Sequence, residues 1–256
     1  MAAYVNELRS LTKEFGYTFD GAILAGGAVT STFTGKPIAD FDVYFTSRES
    51  FIAGLEKAYG NGFWCVSLTS RAITFKKNDL FYQFMFFRFF DDAQSIFDSF
   101  DFTCCMGALD LSEKGDFILH PRFLPDAAQR VLVFNYKTDF PIASALRILK
   151  YQERGYTISR SEWLKVVIAC NFKEVKDWKE LQHQIGGTYG NIVAMATDKP
   201  FDLDNVIESL DKAFGESKSE SEPPISSEEA TEAVEKILPA NAKDAESAID
   251  KMVTQC

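Results

Sequence analysis

Between Ala22 and Phe45 the chain reads AILAGGAVTSTFTGKPIADFDVYF. Apolar residues run as a short buried strand into Gly26-Gly27, a short helix follows through Thr32, and Gly35-Lys36-Pro37 breaks it. A second strand then opens with Asp40-Phe41-Asp42, with twelve residues between Gly27 and Asp40. Glycines let backbone N–H groups approach an anion closely, and the helix N-terminus behind them favours negative charge. Positions i and i+2 of a strand share a face, so Asp40 and Asp42 stand side by side and repel each other. Two divalent cations about 3.5–4 Å apart, shared with a triphosphate, would turn that repulsion into phosphoryl-transfer chemistry. An isolated Asp-x-Asp reads as a solvated strand end, and an isolated Gly-Gly as a turn. Their conjunction points to a phosphate site.

Working outward, the upstream segment Tyr4–Phe15 places Val5, Leu8, Leu11 and Phe15 at helical spacing, ending near Gly16. The strand into the glycines is predicted over Thr18–Ala25 and the acidic strand over Phe41–Thr46. Ser47 is a predicted N-cap for a helix over Glu49–Tyr59, closed by Gly60-Asn61-Gly62. Strands are predicted at Phe63–Leu68, Ala72–Lys76 and Phe81–Phe89, a short helix at Asp92–Ser99, and a further strand at Asp101–Leu111 paired with Gly115–Leu119. From Ile142 the pattern turns helical: Ile142–Arg154, Ser161–Cys170, Phe172–Ile185 and Leu203–Phe214. Strands alternating with helices up to residue 120, then helices alone, predict an α+β fold: a mixed central sheet flanked by helices, followed by an α-helical region. The expected organisation is a head over 1–138, a helical neck and body over 139–214, an acidic Ser/Glu/Pro linker over 215–227 and a short helical tail over 228–256.

The 256 residues include 24 phenylalanines, ample material for a buried core. The net charge of −10 argues against a surface given over wholly to nucleic acid. It is uneven: residues 215–256 hold ten acidic against four basic residues, so the rest is nearly balanced and has room for a local basic groove. The acidic tail is expected to mediate self-association or an assembly contact. Five cysteines without a Cys-x-x-Cys spacing speak against a zinc site or disulfide framework and suit a reducing compartment. The first residues lack a basic start followed by an apolar core, and the most apolar run, Leu80–Phe90 (LFYQFMFFRFF), carries Gln83 and Arg88 and is too short to span a bilayer. A cytoplasmic protein, or one within a viral assembly, is the expectation, with no membrane partner.

Gly26-Gly27 followed by Asp40-Phe41-Asp42 resembles the signature of the DNA polymerase β-like nucleotidyltransferase superfamily, nearest the poly(A) polymerase and tRNA nucleotidyltransferase heads. The resemblance covers roughly residues 1–160. It implies two Mg²⁺ (or Mn²⁺) ions held by three carboxylates, the third from a later strand; Asp101 is the best match, with Asp98, then Asp110 and Asp116, as weaker substitutes. It also implies transfer of a nucleoside monophosphate from a nucleoside triphosphate to an acceptor hydroxyl on RNA (tRNA included), a protein or a small molecule, with release of pyrophosphate. Asp40, Asp42 and Asp101 would be catalytic and metal-binding, while Gly26, Gly27 and Ser31 would cradle phosphates.

Residues 141–156, PIASALRILKYQERGY, resemble the arginine-bearing neck helix that follows such heads. Arg147, Lys150 and Arg154 fall on one helix face, where Arg147 and Lys150 would hold the triphosphate or an acceptor phosphate. The chain departs from the tRNA enzymes in carrying Thr30-Ser31 where they carry Arg-Asp, which speaks against CCA addition specifically; Ser31 or Thr32 would offer a hydroxyl instead. The alternative is a nucleotidyltransferase fold used without catalysis, as a structural or binding component of a larger assembly. His120 reads as a loop residue, the Phe81–Phe90 aromatics as a central core strand, and Cys104-Cys105 as small core residues on opposite faces of a strand. Trp163 and Trp178 read as helix-packing residues.

Overall fold

The computed structural model describes residues 20–69, 71–112, 115–187 and 198–214, together with Asn6 and Met195. The predicted helix at 4–15 and the linker and tail at 215–256 lie outside the described residues, apart from Asn6. The rest builds one seven-stranded mixed sheet and eight helices, as an α+β fold requires.

In chain order the strands are β1 (Ala22–Ala25), β2 (Asp40–Phe45), β3 (Trp64–Leu68), β4 (Ala72–Lys77), β5 (Leu80–Met85), β6 (Gly107–Asp110) and β7 (Phe117–Leu119), and two short strands, β8 (Val131–Leu132) and β9 (Thr157–Ile158), pair apart from them. The main sheet runs β3-β4-β5-β2-β1-β6-β7, antiparallel throughout except where β2 meets β5 in parallel. The helices are α1 (Gly27–Thr34), α2 (Arg48–Gly60), α3 (Ala93–Ser99), α4 (Phe123–Gln129), α5 (Pro141–Glu153), α6 (Arg160–Phe172), α7 (Trp178–Gly186) and α8 (Leu203–Phe214). Ser47 caps α2 as predicted, accepting from the Ser50 amide while Ser50 reaches back to the Ser47 amide.

Alternation along β2 sorts the two faces of the sheet. Phe41, Val43 and Phe45 enter a core with Val29 of α1, Phe51 and Leu55 of α2, and Phe123 of α4. Tyr44 faces the other way, into a smaller core with Ala93, Ile96 and Phe97 of α3. Asp40 and Asp42 share the Tyr44 face. A third core joins Phe102, Cys104 and Cys105 to Ile148 and Tyr151 of α5 and Val166 of α6, fastening the helical region to the sheet. Trp178 gains the partner the sequence did not show: it packs on Phe201, and its indole N–H donates to the Lys199 carbonyl. Trp163 stays 42% exposed on α6.

Three predicted elements are corrected. Asp101–Leu111 is not one strand: Asp101 lies in a loop, Thr103–Cys105 form a 3-10 turn, and β6 begins only at Gly107. The backbone partners here come from beyond the sheet. Asn135 N donates to the Asp101 carbonyl, Asn135 Nδ2 to those of Phe97, Asp98 and Phe100, and Thr103 N to that of Val133. Cys104 and Cys105 are accordingly buried in a turn rather than on opposite faces of a strand. The helix predicted over Phe172–Ile185 starts only at Trp178, where Asp177 accepts from the Glu180 amide as its N-cap. The strand predicted to Phe89 ends at Met85, although β5 does lie in the sheet interior.

Candidate functional site

Asp40, Asp42, Asp101, Gly26, Gly27, Ser31, Arg147 and Lys150 all line one cavity of about 800 Å³. Its floor is the Asp40/Asp42/Tyr44 face of β2, and α5 forms a wall. Gly26 bridges β1 and α1 with φ 87° and ψ −127°, a combination that L side chains avoid. Its amide donates to the Gly107 carbonyl at 3.0 Å. Thr30 locks the turn: its hydroxyl donates to the carbonyls of Gly26 (3.1 Å) and Cys104 (3.0 Å). A methyl at Gly26 would stand 3.8 Å from Asp42 Oδ2, and one at Gly27 would stand 3.9 Å from Asp40 Oδ1. The glycine turn therefore abuts both carboxylates and keeps the space beside them open. Ser31 is half-buried on the same helix and lines the cavity, whereas Thr32 is buried and donates to the Ala28 carbonyl, out of the site.

Asp42 is 4% exposed. Asp40 is more open, and Gln83 Nε2 on β5 donates to its Oδ2 at 3.1 Å. Gln83 stands opposite Asp42 in the parallel β2–β5 register and opposite Thr74 of β4, which in turn faces Ser67 of β3. A row of uncharged polar side chains thus runs across the floor, and all of it lines the cavity.

Asp101 reaches the same cavity from its loop, 5% exposed, with Oδ2 3.2 Å from Arg147 Nε. Burial raises its carboxyl above the usual carboxylate range, with the Arg147 charge pulling the other way. Its Oδ1 is buried without a hydrogen-bond partner among the described residues. Arg147 also lies over the Tyr151 ring. Tyr44, two residues after Asp42 on the same strand face, has its hydroxyl pushed well up by burial and then by Asp42. Lys150, Arg154 and Lys36 complete a basic rim, Lys36 Nζ donating to the Arg154 carbonyl at 3.4 Å.

The weaker substitutes for a third acid lie elsewhere. Asp98 pairs with Lys137 at 2.8 Å, and Asp110 accepts from the Ser112 amide. Neither these nor Asp116 lines the cavity. Among the described residues no group of three or more His, Cys, Asp or Glu side chains is placed to share one metal ion. His120 sits in a turn before α4, accepting from the Arg122 amide. Sequence reading missed Gln83, Thr74, Ser67 and Lys36. The only local signal was a lone amide inside an apolar run at Gln83.

The fold is shared with enzymes that act on tRNA. The Thermotoga maritima CCA-adding enzyme complexed with tRNA superposes with a TM-score of 0.52 at 14% identity, over 97% of this chain and 65% of that one. A CCA-adding enzyme in complex with ATP gives 0.53 at 15% identity, over 92% and 54%. A tRNA-processing enzyme in its apo form gives 0.51 at 20% identity, over 65% and 47%. At such identities the likeness establishes the nucleotidyltransferase fold alone.

No helix among the described residues is long and apolar enough to cross a membrane. The Gabija anti-defense 2 protein of Bacillus phage SPbetaL7 is 42% identical over 192 residues, 75% of this chain and 48% of the phage protein, so the chain spans about half the length of this curated relative. The profile described as Gad2, Gabija anti-defense 2 family protein, matches residues 3–130, and the chain belongs to that family.

Proposed function

We propose that this chain is a metal-dependent nucleotidyltransferase that moves a nucleoside monophosphate from a nucleoside triphosphate to an acceptor hydroxyl, and that it serves phage resistance to Gabija defence through this activity. One observation carries the reading: a glycine turn opening directly onto two carboxylates, in a cavity whose opposite wall is a basic helix.

The residues fit a divalent cation. Asp40 and Asp42 share a strand face, and Asp40 is oriented by an uncharged amide, with no ion pair to a cation among the described residues. Mg²⁺ is ordinarily held by one or two carboxylates together with substrate phosphates. Asp40 and Asp42 would hold it, and when bound it would supply charge neutralisation on the phosphates. Gly26 and Gly27 expose backbone to the phosphates at the start of α1. Arg147, fixed by Asp101, faces the charge that develops as pyrophosphate leaves, with Lys150 beside it. The acceptor oxygen bonds to the α-phosphorus while the bond from that phosphorus to the bridging oxygen breaks. Pyrophosphate departs, and the acceptor proton passes to Asp40 Oδ1, the oxygen Gln83 does not engage.

The test is incubation of the chain with each α-labelled nucleoside triphosphate, Mg²⁺ or Mn²⁺, and tRNA, total protein or small-molecule extracts, following label transfer and pyrophosphate release. Both are expected and should vanish in Asp40→Asn and Asp42→Asn. Nucleotide binding without transfer to any acceptor would favour the non-catalytic reading of the fold.

A further inference from the structure

Among the described residues three approaches lead to the Asp40–Asp42 pair, and none delivers a third carboxylate. On the β5 side the neighbouring side chain is Gln83, opposite Asp42 in register and bonded to Asp40 Oδ2 at 3.1 Å. On the β1 side the chain offers Ala25 and then the two glycines, whose missing Cβ atoms would lie 3.8 and 3.9 Å from the carboxylates. From the loop above comes Asp101, but its Oδ2 is 3.2 Å from the Arg147 guanidinium. That guanidinium places a fixed positive charge where a second cation drawing on Asp101 would have to sit, and two cations at such range repel strongly. Asp98 and Asp110 are committed to Lys137 and to the Ser112 amide.

We propose that the protein furnishes one divalent-cation site rather than two, formed by Asp40, Asp42 and the phosphates of a bound nucleotide, with Gln83 as its positioning residue and Arg147 standing in for the second ion's charge. The inference rests on the nucleotide-binding reading above. A neutral amide orients Asp40 without adding a ligand charge, so the site holds the cation that arrives with the triphosphate. Among the described residues, the ion that would otherwise activate the acceptor hydroxyl has no protein ligands of its own. Asp101 is thereby a positioning residue for Arg147 and not a metal ligand.

The experiment is a Mn²⁺ titration of the full chain saturated with α,β-methylene-ATP, counted by electron paramagnetic resonance. One bound Mn²⁺ per chain is expected. Gln83→Leu should weaken it about 10–100-fold, the range for loss of a group that orients a metal ligand. Asp101→Asn should leave the count at one. Gln83→Glu and Gln83→Asp, which restore an acid beside the pair, should raise it to two. Two ions in the unaltered chain would overturn the single-site assignment while leaving the nucleotide reading standing, as would loss of the bound ion in Asp101→Asn. No bound Mn²⁺ and no bound nucleotide would overturn both. Should either Gln83 acid variant fold poorly, the ion count of the unaltered chain and of Asp101→Asn decides alone.

Discussion

Replacing Gly26 by alanine separates backbone strain from site chemistry. Gly26 has φ 87° and ψ −127°, and a methyl there meets nothing closer than the Phe100 ring at 3.5 Å, an ordinary contact. The cost is therefore conformational, about 1–3 kcal/mol for an L residue held in such a region. Little of it can relax. The Gly26 amide is bonded to Gly107, and its carbonyl accepts from the Thr30 amide and hydroxyl, so a shift toward negative φ breaks up to three hydrogen bonds. In a chain of this size each kcal/mol lowers the melting temperature by roughly 2–4 °C, so a fall of about 5 °C is expected by calorimetry. Gly27→Ala is the control. Gly27 is the first residue of α1, has no positive φ, and its methyl would meet only Asp40 Oδ1 at 3.9 Å. Stability should be unchanged or slightly raised, since alanine suits a helix better than glycine. Both methyls intrude on the space beside the carboxylates, so both should weaken nucleoside triphosphate binding by about tenfold, near 1.4 kcal/mol. Equal losses of stability in the two variants, or unaltered nucleotide affinity in both, would refute the reasoning.

Arg147→Met leaves the buried Asp101 carboxylate without its counter-charge. Because Arg147 is partly exposed, the loss should be about 1–3 kcal/mol, below that for a fully buried pair, and should shrink when combined with Asp101→Asn, as denaturant titration of the double-mutant cycle will show. Asp101 has a raised carboxyl pKa from burial, so its stabilising contribution is complete below the unfolded carboxylate pKa and is lost as pH rises through the folded value. The melting temperature of Asp101→Asn relative to the unaltered chain should therefore climb from pH 4 to 7. Arg71 is buried, donates to the Gly187 carbonyl at 2.6 Å, contacts His183 and lies 4.4 Å from the Phe140 ring centre. Arg71→Ala should cost about 2–4 kcal/mol by releasing the end of α7 from the β3–β4 hairpin, visible as faster amide exchange there.

The acidic pair and the glycine turn were legible because their geometry is local. Two residues apart on a strand fixes a shared face, and Gly-Gly before a helix fixes an anion-facing turn, whatever the rest of the chain does. The helix carrying Arg147, Lys150 and Arg154 was legible for the same reason. Asp101 does line the same cavity as the acidic pair, but it comes from a loop and not from the predicted strand. The pattern of DFTCCMGALDL alternates poorly, and Asn135, more than thirty residues on, takes the backbone bonds that a sheet neighbour would have made.

Gln83 shows the other limit. Nothing within its own strand says that it faces Asp42, because that contact depends on β5 returning parallel to β2 after the β3–β4 excursion, a register that only the folded sheet sets. Yet an amide amid LFYQFMFF is costly to bury unless it has a partner. Phe84 and Tyr82 on either side point into the core with Phe75, Phe45 and Phe41. The same alternation that buries those rings turns Gln83 to the opposite face, where its amide donates to Asp40 Oδ2. The phenylalanine-rich core and the polar floor of the cavity are thus two faces of one strand, and the packing that holds β5 in the sheet interior also aims the amide at Asp40.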